Sequence, residues 1–496
     1  MRPFNFNINT TTQSVFLFSM MMCNNSNVMA ETRTDAADQA NNGKKYNVLF
    51  ITADDLNCDM GCFDDPIVKT PNFDRLREHA VRFNNAYCQY PLSGPSRASF
   101  MTGYSPAHTQ VVDLETNFRD IIPAAVTIPQ LFEKNGYTTC RIGKIYHAGV
   151  PNDIGEPGMD DPYSWMRTFN PIGIDKTQLS KVINYTPNRG IGSSLSYMIT
   201  DGTDDEHTDA ISANIACNMI REYKDKPFFI ALGFYRPHTP YIAPKKYFDM
   251  YPMEDIQLPE VPADDWANRP KYEKFTDPLN WGLPEQKLRE IKRAYYATIS
   301  FIDAQIGKVM KTLEEEGLAD NTIVVFFSDH GYNLGQHGMW MKQALFEHTT
   351  RVPFIMSVPG ITKGKQETSG VVELLDVYPT LASLCGLKGM PQDLDGQDVS
   401  ALLKDVNADW DEAAGTMLIR TANKTLHYMA PGEKAHGKSI RVDRYRYCEW
   451  DNGEKGAELY DYEVDPEEKT NFYNHPKYKK IQKELQRRLK EKFEKK

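Results

Sequence analysis

Asn47-Val48-Leu49-Phe50-Ile51-Thr52-Ala53 is an apolar run that ends abruptly at the acidic pair Asp54-Asp55. Such a run, without polar alternation, suits a strand covered on both faces, as in a parallel sheet between helices. Three further runs are strand-like and also end in a polar cluster. Tyr137-Thr138-Thr139-Cys140-Arg141-Ile142 stops at Gly143-Lys144, with His147 close behind. Phe228-Phe229-Ile230-Ala231-Leu232-Gly233-Phe234 runs into Arg236-Pro237-His238, and Thr322-Ile323-Val324-Val325-Phe326-Phe327 delivers Ser328-Asp329-His330. Open α/β sheets bind ligands beyond the carboxyl ends of their strands, so four polar clusters at four strand ends predict one site.

Helical patterns fill the gaps. Thr70-Pro71 starts a helix carrying Phe73 and Leu76. From Gln286 to Glu316, Leu288, Ile291, Tyr295, Ile299, Ile302, Ile306, Val309 and Leu313 recur at three- and four-residue steps and stop at Gly317. Residues 240–284, rich in Pro, Tyr, Trp and Asp, read as a long loop beside the site. After Leu402 the pattern changes. Thr416 to Arg420 and Lys438 to Trp450 read as antiparallel strands, and Tyr478 to Lys496 as an amphipathic helix with Ile481, Leu485, Leu489 and Phe493 on one face. The expected organisation is a catalytic domain over 45–402 and a smaller α+β subdomain over 403–496, with an antiparallel sheet and a terminal helix.

The chain has 496 residues and a formal net charge of -10, with no basic stripe, which argues against a nucleic-acid partner. Arg2, the apolar run Val15 to Met22 and the small-residue site ending at Ala30 read as an export signal, followed by a polar disordered leader over 31–44. The expected location is periplasmic or extracellular, and Cys23 leaves a lipoprotein alternative open. No later run approaches a membrane span, so the mature protein is expected to be soluble. Eight scattered cysteines do not make a disulfide framework; the seven after Ala30 leave at least one free thiol. Cys58 and Cys62 read as structural.

Asp54 and Asp55 repel one another unless a cation intervenes. With Asp329 and His330 they make an oxygen-rich set, suited to calcium or magnesium rather than to a closed zinc site. The segment Ser93-Gly94-Pro95-Ser96-Arg97-Ala98-Ser99-Phe100-Met101-Thr102-Gly103 reads as a helix start, with Pro95 in the first turn and Phe100-Met101 reaching the core. Free N–H groups at such a terminus hold anions.

That segment also resembles the signature of the type I sulfatases, Cys/Ser-x-Pro-Ser-Arg-x-x-x-x-Thr-Gly. The Asp-Asp strand end, Thr127-Ile128-Pro129-Gln130 through His147, Arg236-Pro237-His238, Ser328 through Lys342 and Gly456 to Asp461 are similar to iduronate-2-sulfatases, over roughly residues 45 to 475. The resemblance implies an alkaline-phosphatase-like fold, its largely parallel sheet sandwiched by helices, one calcium ion, and hydrolysis of a sulfate ester. It implies that Ser93 is oxidised to formylglycine by a maturase and supplies the nucleophile, with Ser93, Asp54, Asp55, Asp329 and His330 at the metal. Arg97 would orient the nucleophile, and Lys144 and Lys342 would neutralise sulfate oxygens. His238 would protonate the leaving alcohol and His147 would take a proton. Serine at 93, where cysteine is commoner, implies a bacterial oxygen-independent maturase. His330, where many sulfatases carry asparagine, favours the iduronate-type branch.

Substrate stays open at this level. A 2-sulfated uronate of glycosaminoglycan fragments and an algal glycan such as ulvan, with sulfated rhamnose, are both compatible. Asn117, Arg119, Arg236, Gln336, His337 and Trp340 are the candidate sugar contacts, the arginines for a uronate carboxylate. A serine-nucleophile phosphatase of the same superfamily and an unmodified protein that only binds sulfated glycan are the competing readings.

Overall fold

A computed structural model describes residues 45–423 and 426–494. The signal, leader and Cys23 readings lie outside the described residues. Eight strands form the main sheet: β1 Asn47–Asp54, β2 Val81–Tyr87, β3 Thr138–Gly143, β4 Arg167–Phe169, β5 Phe228–Pro237, β6 Thr322–Ser328, β7 Phe354–Ser357 and β8 Gln366–Glu373. Their order is β8-β2-β7-β6-β1-β5-β3-β4. Only β7 runs against the rest, antiparallel to both β2 and β6. The four expected strands are adjacent at the centre, β6-β1-β5-β3, all parallel, so their carboxyl ends share one edge.

The apolar runs are unbroken because alternate side chains feed two cores. On β1, Leu49, Ile51 and Ala53 join one core and Val48 and Phe50 the other. Helices cover both faces. Those flanking the site are α1 Pro71–Arg77, α2 Ser93–Thr102, α3 Ile128–Lys134, α4 Thr208–Tyr223 and α5 Glu285–Glu315. α1, α4 and α5 pack into the first core through Phe73, Ile220, Leu288, Ile299 and Leu313; α2 and α3 pack into the second through Phe100, Met101, Leu131 and Phe132. All eight apolar positions expected on α5 are buried, and Gly317, in the left-handed region at φ 66°, follows its end.

The segment 240–284 is tied down more firmly than its composition suggests. Tyr241–Pro244 pairs in parallel with Ser196–Thr200, and Tyr241, Tyr247, Phe248, Tyr251 and Ile256 enter the first core. After residue 402, Lys438 to Trp450 divides between two strands of an antiparallel sheet: β9 Ala414–Thr421, β10 Lys434–Arg441, β11 Tyr445–Trp450 and β12 Ala457–Asp461. The last helix, α6 Lys479–Glu494, lays Leu485 and Leu489 on it, with Ile481 and Phe493 at the margin. β9 also reaches the main sheet: Met417 N–H donates to the Gln89 carbonyl and Thr416 Oγ1 to that of Cys88. The seven cysteines among the described residues are free, and no helix among these residues is long and apolar enough to cross a membrane.

Candidate active site

At the end of β1 the chain turns sharply. Asp55 is in the left-handed region, φ 67°, a position costly for a non-glycine residue and held from several sides. Tyr295 on α5 donates its hydroxyl to the Asp55 carbonyl at 2.7 Å, and Leu56 N–H donates to Ser328 Oγ at 2.9 Å. The turn presents both carboxylates toward the start of α2. There Ser93 Oγ donates to Asp54 Oδ1 at 3.0 Å and lies 3.1 Å from His330 Nε2. His330 Nδ1 is 2.9 Å from the Gly331 carbonyl, which fixes the ring with Nε2 toward Ser93 and the carboxylates.

Asp54, Asp55 and His330 each offer a ligand atom, all within 4.8 Å of one another and all buried. Asp329 lies just beyond this trio: its Oδ2 is 3.6 Å from His330 Nε2 and accepts from Arg97 Nε at 3.0 Å. Oxygen donors crowded this closely in a buried space fit a divalent cation. Cationic side chains flank them. Lys144 donates to Asp54 Oδ2, Lys342 donates to Asp55 Oδ1 at 2.5 Å, and His238 Nε2 lies 3.7 Å from Asp55 Oδ2.

The charges shift one another. Burial works against ionisation of Asp54, yet Lys144, His238, Arg97 and Lys342 together hold its carboxyl well below the usual range. Asp55 is pushed up by burial, against the pull of Lys342. Burial and the neighbouring Lys342 hold His238 well below the ordinary imidazole value. An anion bound beside Lys342 would relieve that effect. His147 is pushed down to about 2 by burial and Lys144, so it is a neutral imidazole. Its Nδ1 is buried without a partner, and it lines a small cavity with Gly94, next to Ser93 in the chain.

Close backbone approach positions Lys144. Lys144 N–H donates to the Gly233 carbonyl at 2.9 Å, and a Cβ at Gly233 would lie 1.8 Å from the Lys144 carbonyl oxygen. Gly233→Ala is therefore expected to displace Lys144 and lower turnover by about 100-fold, the scale of a 1 Å misplacement; steady-state kinetics with a circular-dichroism check of the fold measures it.

Three of the candidate sugar contacts have other roles. Trp340 is fully buried in the first core and donates Nε1 to Asn280 Oδ1 at 2.9 Å, so its ring has no face for a sugar. Arg119 is consumed by both Asp161 oxygens, Gln130 and two backbone carbonyls. Arg236 donates to Asp175 and to the His238 carbonyl, which makes it a brace for the His238 turn. Asn117 caps a helical turn by accepting from Arg119 N–H, and Gln336 accepts from Leu334 N–H. His337 pairs with Asp265 at 3.1 Å and keeps its buried Nε2 unpartnered. The sequence reading passed over Ser96, whose hydroxyl donates to the Asp329 carbonyl and ties α2 to the end of β6. Its place one turn from Ser93 was the available signal.

The chain is similar to known proteins. A family model described as Sulfatase matches residues 46–387, most of the chain and every group above. The chain belongs to the sulfatase family. A model for the C-terminal region of N-sulphoglucosamine sulphohydrolase matches residues 335–495 of the sulfatase. A sulfatase of Formosa agariphila is 33% identical, over 91% of this chain and 88% of its own. The iduronate 2-sulfatase of Mus musculus is 32% identical, over 76% of this chain and 74% of its own. The phosphonate monoester hydrolase of Agrobacterium radiobacter shares the fold, with a TM-score of 0.72 at 23% identity, covering 90% of this chain and 95% of its own. The architecture is that of the alkaline-phosphatase-like sulfatases. This sulfatase is thus a hydrolase of sulfate esters.

Proposed function

We propose that this sulfatase is an exported enzyme that removes 2-O-sulfate from uronate residues in glycosaminoglycan fragments. The observation that carries the reading is the set around Ser93 Oγ, in contact with Asp54 and His330 and ringed by Lys144, Lys342, Arg97 and His238. The iduronate 2-sulfatase relative and His330 in the metal set support the substrate class.

Asp54, Asp55 and His330, with Asp329 beside them, would hold one calcium ion, which would polarise the sulfate group. Formylglycine made from Ser93 would supply the hydrated aldehyde as nucleophile in place of an ordinary alcohol. Arg97 donates to Asp329 and to the Lys144 and Ile145 carbonyls, locking α2 to two strand ends. Lys144 and Lys342 neutralise developing charge on the sulfate oxygens. His238 donates Nδ1–H to the Thr239 carbonyl at 2.6 Å, and once a bound sulfate offsets Lys342 the ring would take up a proton at Nε2 and give it to the leaving oxygen. His147, neutral and unpartnered at Nδ1, accepts the proton that regenerates the site.

The test is the mass of the Ser93 peptide from protein made in its native host, followed by sulfate release from sulfated disaccharides. Loss of two hydrogens at Ser93 with release from 2-O-sulfated uronate is the expected result. Unmodified serine in active protein contradicts the formylglycine chemistry, and release only from sulfated rhamnose contradicts the substrate class.

A further inference from the structure

Arg189 lies in the segment leading to the Ser196–Thr200 strand, outside every motif of the active site. Its Nε donates to the Ser193 carbonyl at 2.7 Å, and its guanidinium stacks on the Trp281 ring at 4.4 Å, with Phe275 at 5.8 Å. The two terminal guanidinium nitrogens have no hydrogen-bond or ion-pair partner among the described residues. A half-buried arginine fixed by a ring and a carbonyl, with no carboxylate of its own, presents two parallel donors for an anion.

Two links connect this arginine to the reacting groups. On one side, Ser194, next to the residue that anchors Arg189, accepts from Thr239 Oγ1 at 2.6 Å, and the Thr239 carbonyl holds His238. On the other side, the loop carrying Phe275 and Trp281 is tied to the strand that leads to Lys342. Thr276 Oγ1 accepts from Trp340 N–H at 2.9 Å, and Asn280 accepts from the Trp340 ring. Asn280 and Trp281 both occupy the left-handed region, at φ 52° and 46°, a strain that this loop bears to hold the indole in place. The Trp281 Nε1 is buried and unpartnered, a further donor with no use inside the fold.

We infer that Arg189, held on Trp281, is a specificity-determining residue that binds an anionic group on the sugar carrying the scissile sulfate or on its neighbour. The inference rests on the sugar-sulfatase reading above and adds a residue to it. A carboxylate in the plane of the guanidinium would make a bidentate pair, and a second sulfate would meet the same donors less selectively. The subsite would favour saccharides that carry a second anionic group over aryl sulfates, whose only charge is the scissile sulfate.

Two measurements test this. The first compares kcat/KM on a 2-O-sulfated uronate disaccharide, its carboxyl-reduced counterpart and an aryl sulfate, for wild type, Arg189→Ala and Arg189→Lys. The ratio of disaccharide to aryl sulfate is expected to fall about 10- to 100-fold in Arg189→Ala, with partial recovery in the lysine variant. Carboxyl reduction and Arg189→Ala are expected to be non-additive, the second costing little after the first. A disaccharide bearing a second sulfate in place of the carboxylate identifies which anion is read. Equal losses on all substrates, or additive effects, overturn the proposal, because a merely structural arginine would behave that way.

The second measurement is calorimetric binding of the same disaccharides to Ser93→Ala protein with and without Arg189→Ala, read whether or not sulfate is released. Weaker binding of the charged sugar alone supports the subsite. Unchanged binding, or none in either protein, overturns it. Intact binding with no release by wild type counts against the proposed reaction and not against the subsite.

Discussion

Ser93→Ala is expected to lower sulfate release by roughly 10,000-fold or more, the scale on which removal of the proposed nucleophile would act. Ser93 contributes the hydroxyl in contact with both Asp54 and His330, and it is 2% exposed, so no neighbouring side chain or bulk water takes its place. The fold is expected to survive. Asp54 keeps Lys144 and Arg97 as partners, and alanine is well accommodated at a helix start. Discontinuous sulfate assays with a thermal-melt control decide it. Activity within tenfold of wild type would mean that Ser93 does not carry the reaction.

Glu347→Gln has the largest expected effect on stability, about 3–5 kcal/mol at pH 7, because it removes the carboxylate shared by buried Arg441 and Arg446 and leaves Arg446 with Glu468 alone. Glu347 accepts from Arg446, from Arg441 at 3.4 Å and from the Tyr87 hydroxyl at 2.8 Å. Burial works against the charged form, but Arg441, Arg446 and Arg351 outweigh it and bring the carboxyl down to about 2. A carboxyl whose folded value is depressed stabilises the protein fully above its unfolded value, about 4.3. That contribution is lost as pH falls through about 4.3 toward 2, and amounts to roughly 3 kcal/mol at 1.36 kcal/mol per unit. In urea unfolding at several pH values, the difference between wild type and Glu347→Gln should hold steady above pH ~5 and shrink below it. A difference that stays flat to pH 3 contradicts the assignment.

The central sheet was legible because three of its four middle strands are largely apolar and all four end in chemistry. Parallel neighbours put those ends on one edge, so residues far apart in sequence meet without any local signal being needed. The outer strands were harder to see. Val81-Arg82-Phe83-Asn84-Asn85-Ala86-Tyr87 carries an arginine and two asparagines, and Phe354–Ser357 is only four residues long. The sugar-contact residues were the weakest reading, for a different reason. An exposed-looking Arg119 or Trp340 cannot be told from a structural one until its partners are known. Asp161 and Asn280 lie 42 and 60 residues away. Arg189 was invisible because its meaning lies in what it lacks, a carboxylate partner, and in a ring 92 residues further on.

The segment after Lys342 is held by arginines from the last part of the chain. Arg420 donates to the Gln343 carbonyl, and Arg446 to that of Leu345. The ribosome therefore completes the four strand ends well before it supplies the props for the lysine beside Asp55. Chains stopped short of β9 would carry Ser93, the acidic cluster and that lysine without either brace, so the charge constellation gains its full support only in the final stage of synthesis. Premature termination and late folding faults would act on catalysis before they act on the main sheet.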